Sequence, residues 1–214
     1  MKALVLIDLQ QDFLEGGTLA VPQGTEILPL AHEMVSYPFD LIVATKDWHP
    51  LEHSSFASNH AGAKPGEHLR LGGFDQTLWP IHCVQGTTGA EFAPGWDSTA
   101  VDKVFYKGMD PLVDSYSAFF DNGHVHSTGL ENYLREKGVR DIFFAGLATD
   151  YCVKYSVLDA LGLGFHAYVV IDACRGINLQ PHDVEQALLT MQKGGATLLS
   201  IKDITDLLFS LDRR

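Results

Sequence analysis

Three cysteines occur in the 214-residue chain, and Cys152 stands where a thiol can do chemistry. The apolar run Ile142-Phe-Phe-Ala145 leads into a small-residue turn, after which Val153, Val157, Ala160 and Leu161 recur on one helix face. This predicts a buried strand turning into a helix, with Thr149 or Asp150 as N-cap and Cys152 in the first helical turn. Unpaired N–H groups and the positive end of a helix dipole lower a thiol pKa there and make the sulfur nucleophilic. Taken alone, the stretch fits a small buried hydrophobe equally well.

What lies at the ends of the other apolar runs shifts that balance. Asp8, Asp47 and Lys107 each close such a run, so four polar side chains fall at the carboxyl ends of four predicted strands. A carboxylate in a partly dry crevice can accept a thiol proton, which suits Asp8. An ammonium beside it favours both anions, which suits Lys107. A second group begins with Asp47 and His49, which point the same way in an extended segment and can converge on one ion. An imidazole from the following segment would complete a facial site with open positions. His82, His53, His60 and His68 all lie there, and spacing alone leaves the third ligand open. Cys83, next to His82, fits a buried neighbour better than a ligand. Cys174 in Asp172-Ala-Cys-Arg-Gly176 is a rival thiol, but no clear helical pattern follows it. Phe13, Leu19 and Trp79 suit either a pocket or the core, and Tyr116 and Ser117 either a pocket or a turn.

The elements that must position these residues alternate strand with helix. Strands are predicted at 2–7, 41–45, 101–106, 142–146, 167–171 and 197–201, with helices at 26–36, after a Thr128/Glu131 capping box, after Cys152, from Pro181 and at the end. Several strands are almost continuously apolar, as parallel strands covered on both faces are. The fold class expected is α/β: one domain over residues 1–214, with a doubly wound, six-stranded, mainly parallel sheet and helices on both faces. Such sheets bind ligands at the strands' carboxyl ends, near the point where strand order reverses. Residues 47–99 lack periodicity and read as a long loop or lid.

Composition sets the class. Apolar residues make up 46% and charged residues 20%, the balance of a globular protein. Fifteen basic against 27 acidic residues give a net charge of −12, which argues against nucleic acid as a partner. No apolar run approaches membrane-spanning length, and the N-terminus has no signal-peptide cleavage site. Three sparse cysteines imply no disulfide framework, and a reducing cytoplasm is the expected compartment.

Five motifs follow one another along the chain: Asp8-Leu-Gln-Gln-Asp-Phe13, Lys46-Asp-Trp-His-Pro50, Trp79-Pro-Ile-His-Cys-Val84, Phe105-Tyr-Lys-Gly108 and Gly146-Leu-Ala-Thr-Asp-Tyr-Cys-Val153. Through them the whole chain resembles the nicotinamidases (pyrazinamidases) of the isochorismatase-like cysteine hydrolases, above all the enterobacterial type. The resemblance implies an Asp8–Lys107–Cys152 triad and an oxyanion hole at the N–H groups of Ala148 and Cys152, with a cis peptide at Leu147–Ala148. It also implies one divalent ion, zinc before iron or manganese, on Asp47, His49 and His82, with His53 the candidate for a fourth ligand. Phe13, Leu19, Trp79, Tyr116 and Tyr151 would line the substrate pocket. The expected reaction is hydrolysis of nicotinamide, and of pyrazinamide, by a monomer or homo-oligomer with no nucleic-acid or membrane partner. A sibling hydrolase acting on a carbamoyl or ureido substrate, and a non-catalytic binding relative, are the alternatives.

Overall fold

Strand β1 (Lys2–Ile7) is buried at every position, and its alternate residues enter different cores. Leu4 and Leu6 join one hydrophobic layer, while Ala3, Val5 and Ile7 join the other. A strand with a period of two can bury both sets only if each face of its sheet is covered. Helices α1 (Leu28–Met34) and α5 (Ile204–Leu211) cover the first face through Ala31, Met34, Ile204 and Leu208. Helices α2 (Leu130–Glu136), α3 (Lys154–Gly162) and α4 (Asp183–Lys193) cover the second through Leu130, Leu134, Val157, Ala160 and Met191. These features come from a computed structural model that describes residues 1–211 and Arg213.

The remaining strands are β2 (Leu41–Asp47), β3 (His68–Leu71), β4 (Phe74–Thr77), β5 (Lys103–Lys107), β6 (Asp141–Leu147), β7 (His166–Arg175) and β8 (Thr197–Leu199). Six of the strands form one sheet in the order β5-β2-β1-β6-β7-β8, and every pairing in it is parallel. The chain runs outward from β1 through β2 to β5, then crosses back to β6 on the other side of β1. Strand order therefore reverses between β1 and β6, where a crevice opens at the carboxyl ends. No helix among the described residues is long and apolar enough to cross a membrane.

Local structure departs from the sequence reading at several points of the fold. The first helix is predicted from residue 26, but the chain makes a 3₁₀ turn over Gly24–Ile27 and becomes α-helical at Leu28, with Pro29 in its first turn. The Thr128/Glu131 capping box does not form: Thr128 Oγ1 donates to the Ala118 carbonyl, 2.6 Å away, and left-handed Gly129 holds the cap position. Strand β7 runs on to Arg175, past an irregularity in its pairing with β6, so Cys174 lies within a strand rather than beyond one. Finally, the stretch read as a loop contains the antiparallel β3–β4 hairpin, in which His68 pairs with Thr77. Its strands are only four residues long and mostly exposed on β3, which leaves no apolar alternation to read.

Gly146 sits where β6 presses on β1. Its φ is +132°, and an added Cβ would lie 2.7 Å from the Ile7 nitrogen and against the Ile7 carbonyl. Gly146→Ala is therefore expected to cost on the order of 3 kcal/mol. Urea unfolding should show a lower midpoint at unchanged slope; an unaltered midpoint would mean that the two backbones can separate without loss.

Candidate active site

The carboxyl ends of β1, β2, β5 and β6 converge on the Lys107 ammonium. Lys107 closes β5 opposite Asp47, its registered partner at the end of β2. Its Nζ lies 2.8 Å from Asp8 Oδ2 and 3.3 Å from Cys152 Sγ, donates to the Ser115 carbonyl at 3.0 Å, and pairs with Asp47 Oδ1. Asp8 follows β1 with a left-handed φ of +50° and is fully buried. Thr45 Oγ1 donates to its Oδ1 at 2.5 Å and accepts its backbone N–H at 3.2 Å. Ligand atoms of Asp8, Asp47 and Cys152 all lie within 4.8 Å of one another.

Cys152 does not sit in the first turn of an α-helix. Thr149–Val153 forms a π-helical turn, in which Val153 N–H donates to the Ala148 carbonyl at 3.1 Å, and α3 starts only afterwards. Neither Thr149 nor Asp150 caps it; the Asp150 carboxylate instead accepts the N–H groups of Ile177 and Asn178 at 3.0 and 2.7 Å. The Leu147–Ala148 peptide before the turn is cis.

Electrostatics correct the expectation of a thiolate. Burial pushes the Cys152 thiol well above its usual range; Lys107 opposes this, but Asp8 and Asp47 add to it. Burial likewise raises the Asp8 carboxyl, with Asp47 adding to the rise and Lys107 countering it. Burial would also raise Asp47, but Lys107 and His49 outweigh it and hold that carboxyl well below the usual range. For Lys107, burial works against the charge, yet Asp47 and Asp8 together raise the ammonium well above its ordinary value. Burial thus works against charge on both the thiol and Asp8, and one cation is shared between two acids.

A second cluster abuts the first through Asp47. Its Oδ2 lies 3.6 Å from His49 Nε2 and 3.7 Å from His82 Nε2. Each imidazole turns its other nitrogen to a carbonyl, His49 Nδ1 to Gly108 and His82 Nδ1 to Pro80, both at 2.8 Å. That fixes the Nε2 lone pairs toward Asp47, and this donor set suits a divalent ion. Gly108 has a φ of +66° and must be glycine here, because a Cβ would fall 2.6 Å from His49 Nδ1. His53 is oriented differently. Its Nδ1 lies 3.2 Å from the Ser55 N–H and 2.7 Å from the Ser55 hydroxyl, its buried Nε2 has no hydrogen-bond partner, and with His49 and Asp114 it forms a second group of possible metal ligands. Burial lowers the His53 pKa to about 4, which keeps the ring neutral. His60 bonds the Ser54 carbonyl at 2.7 Å and His68 lies 3.3 Å from Thr77 Oγ1; neither joins the cluster.

Between the clusters lies a cavity of about 20 Å³, lined by Phe13, Leu19, Trp79, Tyr116, Ala148, Tyr151 and Cys152 among others. It brings together Phe13, Leu19, Trp79, Tyr116 and Tyr151, whereas Ser117 lies outside it. It also includes Asp114 and Ile177, which sequence reasoning missed. Asp114 adjoins the Ser-Tyr-Ser stretch that was singled out, but nothing in its spacing marks it. Gln10 was missed as well: its amide donates to the Asp47 carbonyl at 2.7 Å and accepts the Asp47 N–H at 2.8 Å, pinning that backbone.

An isochorismatase domain profile matches residues 2–203. The chain belongs to the isochorismatase family. It is 47% identical to the nicotinamidase of Escherichia coli over 94% of this chain and 96% of that one. Among solved structures, an Acinetobacter nicotinamidase/pyrazinamidase superposes with a TM-score of 0.92 at 42% identity, covering 95% of this chain and 97% of that one. A pyrazinamidase of Pyrococcus horikoshii in complex with zinc gives 0.75 at 37% identity, covering 93% and 98%.

In this isochorismatase-family chain all three thiols are free and buried, and burial raises Cys83 and Cys174 as well, the latter to about 12. Alkylation of Cys152 by an uncharged haloacetamide on metal-free protein is therefore expected to be slow at neutral pH. It should accelerate only above the ordinary thiol pKa of about 8.5. Rapid modification of Cys152 below about pH 7, located by peptide mapping, would mean a preformed thiolate.

Proposed function

We infer that the protein hydrolyses nicotinamide to nicotinate and ammonia, and pyrazinamide to pyrazinoate. The observation that carries this is the meeting of thiol, carboxylate and ammonium at one wall of an aromatic cavity, with a metal-ligand cluster at another. High identity to curated nicotinamidases along nearly the whole chain supports it.

In the reaction we propose, Asp8 takes the Cys152 proton as Sγ bonds to the carboxamide carbon. Coupling the two steps answers the raised pKa of the thiol, since no free thiolate is needed. The N–H groups of Ala148 and Cys152 would receive the oxyanion, a contact whose loss typically costs about 10²–10³ in rate. Asp8 returns the proton to the departing nitrogen, and ammonia leaves a thioester. A water then gives a proton to Asp8 and attacks the acyl carbon, releasing nicotinate and the Cys152 thiol. Lys107 holds its charge throughout and keeps two adjacent carboxylates compatible.

Asp47, His49 and His82 would hold one divalent ion. Zinc is our assignment, supported by the nitrogen and oxygen donors and by the zinc-bound pyrazinamidase neighbour; iron and manganese suit the same donors. The ion, when bound, supplies an anchor for the ring nitrogen. Phe13 and Trp79 would flank the ring. Three free thiols fit the reducing cytoplasm we assign as the compartment. A carbamoyl or ureido substrate would use the same triad but has no need of the histidine cluster, which favours the pyridine reading.

Cys152→Ala is expected to abolish turnover while keeping the fold and the metal content, and quenched wild-type enzyme should carry a nicotinoyl adduct on Cys152 by mass spectrometry. An adduct on Cys83 or Cys174 would overturn the nucleophile assignment. Benzamide lacks the ring nitrogen and should show at least a roughly 10²-fold lower kcat/KM than nicotinamide, with pyrazinamide close to nicotinamide. Benzamide within about tenfold of nicotinamide would rule out the ring-nitrogen anchor.

A further inference from the structure

The β3–β4 hairpin reaches the reaction cavity through one side chain. Gln76, on β4, is 5% exposed although its neighbours Asp75 and Leu69 lie open to solvent. Its Nε2 donates to the Thr77 carbonyl at 2.7 Å and to Asp114 Oδ2 at 2.9 Å, and lies 3.3 Å from the Tyr116 hydroxyl. A carbonyl and a carboxylate only accept, so the amide must present its nitrogen here, and the orientation is chemically determined. Both side chains that it touches line the cavity next to Cys152. Asp114 is buried, and its other oxygen takes the Ser115 N–H at 2.7 Å. Tyr116 also accepts the Trp79 indole N–H at 3.2 Å, so the chain of contacts runs from Gln76 to a second aromatic wall.

The cavity's size makes this wall consequential. At about 20 Å³ the cavity is narrow, so small shifts of its walls matter to a ring held there. On the far side of Tyr116 and Tyr151 lies an outer cavity of about 350 Å³, whose lining also includes Thr77. Tyr116 and Tyr151 thus separate a tight chamber from a roomy one, and the foot of the hairpin sets where Tyr116 stands.

We propose that Gln76 is a positioning residue for the ring-amide substrate, fixing Asp114 and Tyr116 so that the pocket wall closes on the ring. The role rests on the reading of this cavity as the nicotinamide site, which wild-type turnover of nicotinamide tests separately. Gln76 touches no reacting atom, so its loss should appear in binding rather than in the chemical step.

The test uses full-length, metal-loaded protein with Gln76→Met, which keeps the volume and removes the donor, and Gln76→Glu, which keeps the shape and sets an acid against Asp114. KM for nicotinamide should rise about tenfold or more, as expected when a buried carboxylate loses its donor, with kcat within about threefold of wild type. Kd for nicotinate, measured in the Cys152→Ala background, should rise in parallel, and metal content should stay at the wild-type level. Arg70→Gln, on the exposed face of the hairpin, should match wild type. The proposal is overturned if both Gln76 variants keep KM and Kd within about twofold. It is equally overturned if kcat falls at constant KM, if metal is lost, or if neither variant folds, because the residue would then be catalytic or merely structural.

Discussion

A lysine ammonium buried at 2% exposure, facing two carboxylates and a thiol, is the constraint around which the rest of the structure is arranged. Taking an ion out of water costs several kcal/mol unless its partners are close and well oriented. Lys107 reaches four of them, and each comes from a different segment: Asp8 after β1, Asp47 at the end of β2, Ser115 in the loop after β5, and Cys152 after β6. Only a sheet in which those strands run parallel, with β1 beside both β2 and β6, brings their carboxyl ends together. The all-apolar strands provide that sheet, and the ammonium fixes what stands on its rim.

The ammonium is not shared equally. Asp47 is held ionised, with two imidazole nitrogens on its other side, whereas Asp8 is raised and has Thr45 and the Cys152 thiol as further side-chain partners. Two identical side chains thereby take different tasks, one as an anion fit to ligate a cation and one as a base fit to exchange a proton. The thiol follows the same logic. Buried between two acids, it has a raised pKa, so proton transfer to Asp8 is best coupled to attack on an electrophile. Such a sulfur is protected from adventitious chemistry, and the small, aromatic-walled cavity extends that protection.

Much of this was legible in the sequence because it depends on short-range pattern. The continuous apolar runs gave the parallel sheet, and the polar residues that end them, Asp8, Asp47, Lys107 and Cys152, gave the rim. What stayed hidden depends on contacts across long separations or on backbone detail. The π turn at Cys152 involves two displaced hydrogen bonds, Val153 to Ala148 and Lys154 to Thr149, which leave the helical period of Val153, Val157 and Ala160 unchanged. The raised thiol follows first from burial and then from two carboxylates more than 100 residues upstream, which no local rule about helix starts can sense. Choosing His82 over His53, His60 and His68 required the resemblance, since imidazole orientation is set by carbonyls such as Pro80 and Gly108. Gln76 and Asp114 are 38 residues apart, and the hairpin joining them has too few apolar residues to announce itself.

The central claim is that Lys107 and Asp8 depend on one another as a buried pair, and a double-mutant cycle on unfolding free energy tests it most directly. Wild type, Lys107→Met, Asp8→Asn and the double variant would be compared by urea titration on metal-free protein. Lys107→Met should cost about 3–5 kcal/mol, because it leaves buried carboxylates without their cation. Adding Asp8→Asn should recover part of that loss, giving a coupling energy above about 2 kcal/mol. Additive effects, with a coupling within about 0.5 kcal/mol of zero, would contradict the claim and leave the two side chains as independent neighbours.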